Sequence, residues 1–205
     1  MPDIVERYLQ ELTERSTGAI GILPPVSLRL GRKADPYPAI ESARGCTRGL
    51  LSILTCLADG LELSILTRSP LLLRDLDLLA DLDQRHAIRV GVVIPAADPK
   101  LARRVEPQLP PPASPAERLD MVHTLAAHGI DTRVLCTPIV PGLNNSAAAL
   151  ERLFDLAYQA GASDVAPAPR HPALPATAFE SEHLLALFYR LRLEHGFPRA
   201  FPGRG

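Results

Sequence analysis

The sequence has 205 residues, a length suited to one domain, and its 46% hydrophobic and 22% charged residues can supply a substantial core. A net charge of -1 gives no support to electrostatic binding of nucleic acid or of an anionic membrane. No run of about 18 apolar residues occurs, so we expect no membrane span and a cytoplasmic protein.

The first predicted elements are two helices on either side of a strand. Asp3 and Glu6 form a capping-box pattern ahead of spaced apolar residues, which predicts a helix over residues 4–15. Alternating polarity predicts a short strand over residues 26–30, and prolines keep the polar residues after it in a loop. Leucines at helical spacing then predict one helix over residues 40–57.

Residues 61–82 combine a strand, a turn and a helix, with polar residues concentrated at the junction. The apolar run at residues 61–66 has the length of a strand, and Thr67 and Arg68 follow it. Pro70 suits a first helical turn, after which leucines recur at i, i+4 and i+7. Because side chains at the carboxyl ends of parallel strands face the ligand crevice, Arg68 is the first candidate ligand contact.

The second half begins with residues 88–94, an almost continuous apolar run that is typical of a strand buried on both faces. A proline-rich loop is predicted over residues 95–113, with room for one helical turn at residues 99–105. Ser114 and Glu117 then form a capping box, with proline at the first helical position, that starts the next helix.

The remaining elements continue the alternation of strands and helices. A strand is predicted at residues 132–136, and the loop after it leads to Asn144 and Asn145, which we expect to cap a helix. A weak strand at residues 164–166 and a last helix at residues 180–195 follow. Such alternation requires parallel strands joined by right-handed crossovers, in an open or partial barrel or in a doubly wound sheet.

Few residues are spaced as in a known catalytic or metal site. Cys46, Cys56 and Cys136 fit no disulfide framework and no zinc or cluster motif, and two of them lie in apolar segments where burial is expected. The six histidines predict no metal site. No phosphate loop, GxGxxG or GxSxG motif occurs. The other charged candidates are scattered without a spacing that makes them converge: Arg103, Arg104, Arg118, Arg152, Arg170, Glu41, Asp98 and Glu106.

Five short motifs nevertheless occur in an order that resembles a known family. They are DPYPAIE at residues 35–41, LTRSP and RDLDLL within 66–79, EP followed by SPAERL within 106–119, and TPIVPGLN at 137–144. Their order resembles the spore photoproduct lyase-like branch of the radical S-adenosylmethionine superfamily. The resemblance implies an α/β fold at residues 1–178, a partial (β/α) barrel of about five parallel strands that lacks the first strand. A C-terminal helix and tail would follow at residues 179–205.

The resemblance also implies cofactors. In this family a [4Fe-4S] cluster on a CxxxCxxC loop cleaves S-adenosylmethionine (AdoMet), and the present sequence contains no such loop. The residues that match or nearly match the family's AdoMet pocket are Asp35, Tyr37, Arg68, Pro141, Gly142 and Asn144. Ala34 and Val93 replace polar residues of the family, and Arg68 replaces its lysine. Taken singly, the matching residues are also common in turns, cores and caps.

Three functional hypotheses follow from these features. The first is a radical AdoMet-like protein without its own cluster, which is either degenerate or completed by a partner chain. The second is a non-catalytic module that binds a nucleoside or AdoMet, or another protein, and the third is an unrelated small-molecule transferase. The open edge of a sheet without its first strand predicts a homodimer or a partner chain that completes the barrel.

Overall fold

The computed structural model of the chain describes residues 27–56, 60–107, 113–167 and 182–197. Within them, five parallel strands form one sheet. The strands are β1 (Ser27–Leu30), β2 (Glu62–Thr67), β3 (Ala87–Val93), β4 (Asp131–Cys136) and β5 (Asp164–Pro167). The helix predicted over residues 4–15 lies outside the described residues.

The order of the strands decides between the two predicted architectures. A doubly wound sheet reverses its strand order at a switch point, whereas here the sheet order is β1-β2-β3-β4-β5, the same as the chain order. Right-handed crossovers then place the connecting helices on one face, as in a (β/α) barrel. The five strands do not close on themselves, so the predicted partial barrel is confirmed.

The helices of the described residues are α1 (Glu41–Arg44), α2 (Cys46–Leu54), α3 (Leu76–Asp83), α4 (Pro99–Val105), α5 (Pro115–Ala127), α6 (Ala147–Gln159) and α7 (Glu182–Glu194). A 3-10 turn (Pro70–Asp75) precedes α3. The single helix predicted over residues 40–57 is wrong, because Gly45 adopts a left-handed conformation with φ 61° and ends α1. The Glu41 carboxylate then accepts hydrogen bonds from the Cys46 and Thr47 amides at 3.0 and 2.9 Å and so starts α2.

The starts of α5 and α6 test two capping predictions. The Ser114 and Glu117 capping box is present at α5, with both reciprocal hydrogen bonds. The caps predicted for α6 at Asn144 and Asn145 are wrong, because Ser146 occupies that position and its hydroxyl accepts from the Ala149 amide at 3.3 Å. The carboxamide oxygens of both asparagines instead accept hydrogen bonds from amides of the preceding loop.

The main core lies between the sheet and the helices. Strand alternation and register place one set of buried side chains on the same face: Leu63, Ile65, Val90, Val92, Val134 and Val165. Leu79 of α3 and Leu125 of α5 are also fully buried in this core. On α7, Phe188 is buried and contacts Phe154 of α6 edge to face at a centroid distance of 5.5 Å.

Three predictions about the chain as a whole have separate outcomes. β1 lies at an edge of the sheet, and its pairing with another chain stays a prediction. The domain boundary between residues 178 and 179 also stays a prediction. Among the described residues, no helix has the length and apolar character needed to cross a membrane.

Candidate functional site at the carboxyl edge of the sheet

The carboxyl ends of the parallel strands meet at one edge of the sheet, where the sequence predicts a group of polar residues. The first of these residues in the chain is Asp35, in the loop after β1. Its carboxylate accepts hydrogen bonds from the Thr67 hydroxyl at 2.6 Å, the Arg68 amide at 2.9 Å and the Tyr37 amide at 3.0 Å. Asp35 thereby joins the loop after β1 to the end of β2. It fixes the backbone from which the Arg68 side chain leaves the sheet.

Arg68 lies beside a buried ion pair that sequence reasoning did not find. Its Nε is 3.6 Å from Oε1 of Glu106, and its side chain is 35% exposed. Within the described residues, the Arg68 guanidinium donates no hydrogen bond. The side chain of Glu106 is 4% exposed, and its Oε1 has no hydrogen-bond partner among the described residues. A half-exposed cation with unused donors can bind an anionic or carboxylate-bearing ligand.

Arg118 holds Glu106 in this position. Its Nη2 donates to Oε2 of Glu106 at 2.7 Å, its Nη1 to the Val93 carbonyl at 2.7 Å and its Nε to the Ala113 carbonyl at 2.9 Å. The Arg118 side chain is only 2% exposed, although an arginine on a helix is ordinarily solvated. Glu106 lies in the EP motif and Arg118 lies in the SPAERL motif. The joint occurrence of these two motifs in the family resemblance was the only sequence signal that could have linked the two residues.

Tyr37 points into the protein instead of into the crevice. Its ring is 2% exposed, and its hydroxyl makes no well-formed hydrogen bond to a described residue. Burial and the nearby Asp75 carboxylate raise the pKa of Tyr37. Asp75 itself is fully buried and pairs with Arg74 at 2.8 Å and Arg48 at 3.0 Å. Tyr37 is therefore a core residue next to the carboxyl edge of the sheet.

The loop after β4 contributes a buried asparagine and an exposed turn. Asn144 is 1% exposed, and its Nδ2 donates to the carbonyls of Pro95 at 2.7 Å and Pro138 at 3.0 Å. This side chain ties the end of β3 to the loop after β4. Pro141 and Gly142 lie exposed at the turn. Among the described residues, hydrogen bonds join Asp35 to Tyr37 and Arg68, and join Asn144 to Pro95 and Pro138. A ligand pocket formed by the six residues stays a prediction.

A cleft of about 330 Å³ lies next to this edge, between α4 and the start of α5. Glu106 and Arg118 line it together with Arg103 and Glu117. The ion pair that neighbours Arg68 therefore also lines this cleft.

The three cysteines differ in their exposure to solvent. Cys46 and Cys56 are exposed and Cys136 is buried, so the expectation of two buried cysteines is wrong. Burial raises the pKa of Cys136 to about 12, which disfavours the thiolate that ligates iron. The described residues contain no group of three or more histidine, cysteine or acidic side chains that could hold a metal ion.

Comparison with solved structures shows what this architecture resembles. A spore photoproduct lyase variant with bound AdoMet and dinucleoside spore photoproduct superposes with a TM-score of 0.53 at 14% identity, over 98% of this chain and 53% of that one. The chain shares the fold of spore photoproduct lyase. The lyase complexed with dinucleoside spore photoproduct superposes with a TM-score of 0.54 at 15% identity, over 92% of this chain and 51% of the lyase.

Sequence relatives extend the comparison without supplying an activity. Uncharacterized proteins of Mycobacterium bovis and Mycobacterium tuberculosis are 35% identical over 68% of this chain. An uncharacterized protein of Methanocaldococcus jannaschii is 36% identical over 54% of it. The chain spans only 39% of the length of each of these relatives. No family model matches the chain.

Proposed function

We propose that this chain is the AdoMet-binding part of a radical AdoMet-type barrel that supplies no iron–sulfur cluster from its own residues. Any radical chemistry would then depend on a partner that carries the cluster, or would have been lost. The fold supports this proposal, since a lyase of the same fold has been solved with bound AdoMet. The scattered cysteines support the second part, because a cubane needs clustered thiolates.

The observation that carries the proposal is the environment of Arg68. Asp35 anchors its backbone at the end of β2, and Glu106 lies beside its Nε at 3.6 Å. The Nη groups are left to donate to a ligand in the crevice, where the carboxylate of an amino-acid moiety offers a matching pair of acceptors. AdoMet has such a moiety. In this arrangement Arg68 binds the ligand, and Asp35 and Glu106 orient Arg68.

Arg68→Ala is expected to weaken AdoMet binding by about tenfold or more, because a hydrogen bond to a charged group contributes about 1.5–3 kcal/mol. Isothermal titration calorimetry with AdoMet and with S-adenosylhomocysteine measures the effect. Arg152→Ala is the matched control, since Arg152 is an exposed arginine on α6. It should bind like the wild type.

Two results would contradict the assignment of this site. If the wild type binds neither ligand, the alternative of a protein-interaction module on the partial barrel is favoured. If it binds both but Arg68→Ala binds equally well, AdoMet lies elsewhere on the molecule.

Anaerobic reconstitution of the chain alone with iron and sulfide is expected to yield no stable cluster, because the three cysteines lack cubane spacing. Iron analysis and the visible absorption spectrum measure the outcome. A thiolate-to-iron absorption band with about four irons per chain would overturn the cluster-lacking proposal. Bound AdoMet without such a band would support the partner-dependent or non-catalytic alternatives.

A further inference from the structure

The sheet face opposite the core carries a row of charged side chains. Register places Arg29, Ser64, Arg89 and Asp131 side by side across β1 to β4. One step further along the strands, Arg133 and Asp164 are paired on the same face. We call this set the inner charged face: Arg29, Arg89, Asp131, Arg133 and Asp164.

The two carboxylates of the inner charged face are already engaged. Asp131 lies 2.7 Å from Nε of Arg89 and also accepts a hydrogen bond from the Ser163 hydroxyl. Asp164 lies 2.7 Å from Nη1 of Arg192, and both side chains are almost fully buried. Each acid therefore has an arginine of its own.

Arg133 is left without a close carboxylate partner of its own, in a less exposed position than Arg29. Its side chain is 17% exposed, and its nearest carboxylate oxygen, on Asp131, is 3.9 Å away. Among the described residues its guanidinium donates no hydrogen bond, and its Nε is also shielded from solvent. Burial and the neighbouring Arg89 lower the pKa of Arg133. Buried donors without acceptors cost free energy, and native proteins usually provide a partner for them.

We propose that the inner charged face binds a small oxyanion, a phosphate or a carboxylate, at the guanidinium of Arg133 with Arg89 beside it. The planar fork of an arginine matches two oxygens of either group, and one negative charge would balance that of Arg133. The half-exposed Arg89 side chain leaves the face open to solvent.

This site is separate from the carboxyl edge. Leu66 and Leu135 close over Gly91, where an added Cβ would lie 3.2 Å and 3.0 Å from their Cδ1 atoms. These leucines form an apolar layer on the carboxyl-edge side of Arg89. AdoMet at Arg68 and an oxyanion at Arg133 would therefore bind independently.

The test is thermal unfolding during titration with inorganic phosphate or with succinate, at an ionic strength held constant with chloride. At about a hundredfold excess over the dissociation constant, the wild-type melting temperature should rise by about 5 °C or more. Arg133→Met should abolish this shift while melting no lower than the wild type without anion, because it removes an unpaired buried cation. The matched control Arg152→Met should keep the full shift.

A second variant and a second measurement keep the result interpretable if Arg133→Met folds poorly. Arg133→Lys retains the charge but not the fork, so it should keep only part of the shift. In nuclear magnetic resonance spectra, the Nε–H signal of Arg133 should move on addition of the effective anion. If only phosphate raises the melting temperature, the natural ligand carries a phosphate group. If only succinate raises it, the natural ligand carries a carboxylate. No saturable shift with either probe, or equal shifts in wild type and Arg133→Met, would overturn the proposal.

Discussion

Gly31→Ala is expected to lower the free energy of unfolding by more than about 3 kcal/mol. Gly31 follows β1 with φ 96°, a conformation that side chains rarely adopt. An added Cβ would lie 2.1 Å from the carbonyl oxygen of Leu66 on β2, a backbone atom that cannot turn aside. Both the strain and the collision act where the loop carrying Asp35 leaves the sheet. Urea denaturation followed by circular dichroism measures the loss.

Gly129→Ala separates the collision from the strain. Gly129 also has a positive φ, 80°, but no atom within 4 Å of the added Cβ. It should therefore lose only about 1 kcal/mol, the cost of the unfavourable backbone conformation. Equal losses in the two variants would show that the neighbouring Leu66 carbonyl moves aside in Gly31→Ala.

Arg118→Ala is expected to destabilise the protein by about 3–5 kcal/mol, because it leaves the buried Glu106 carboxylate without its cation. The substitution also removes the donors to the Val93 and Ala113 carbonyls, which join β3 to the start of α5. Arg152→Ala on the exposed side of α6 should change stability by less than about 0.5 kcal/mol. Urea denaturation of the two variants makes the comparison direct.

A double variant tests whether the loss comes from the unpaired charge. Arg118→Met with Glu106→Leu removes both ions and keeps similar volumes, and such apolar replacements are often neutral. The double variant should therefore be more stable than Arg118→Ala. If both variants lose the same stability, the hydrogen bonds to the two carbonyls matter more than the ion pair.

Local sequence patterns determined the elements and the fold class. The Ser114 capping box started α5 where it was predicted, because this signal acts through the backbone of neighbouring residues. Pro70 started a 3-10 turn, and the α-helix predicted after it begins only at Leu76. The apolar run of β3 predicted a strand buried on both faces, since burial on two sides leaves no polar alternation. Repeated alternation of strands and helices predicted the parallel sheet.

Errors arose where one side chain had more than one possible partner. The Glu41 carboxylate accepts the hydrogen bonds that start α2 after Gly45 ends α1. The spacing of the leucines, from which one helix was predicted, does not reveal these hydrogen bonds. Asn144 has the residue type of a cap but spans to Pro95, a hydrogen bond across 49 residues of sequence. Cys56 lies in an apolar segment of the sequence but is exposed in the fold.

The sequence by itself determined that a charged residue would stand at the end of β2, because the polarity change from the strand to Arg68 is local. Only the tertiary structure decided that Glu106 and Arg118 lie next to the end of β2, because the packing of α4 and α5 beside β3 brings them there. It also decided that Arg133 has no close carboxylate partner of its own. Charge balance is a property of groups close in space, and the residues around Arg133 come from three strands and a helix.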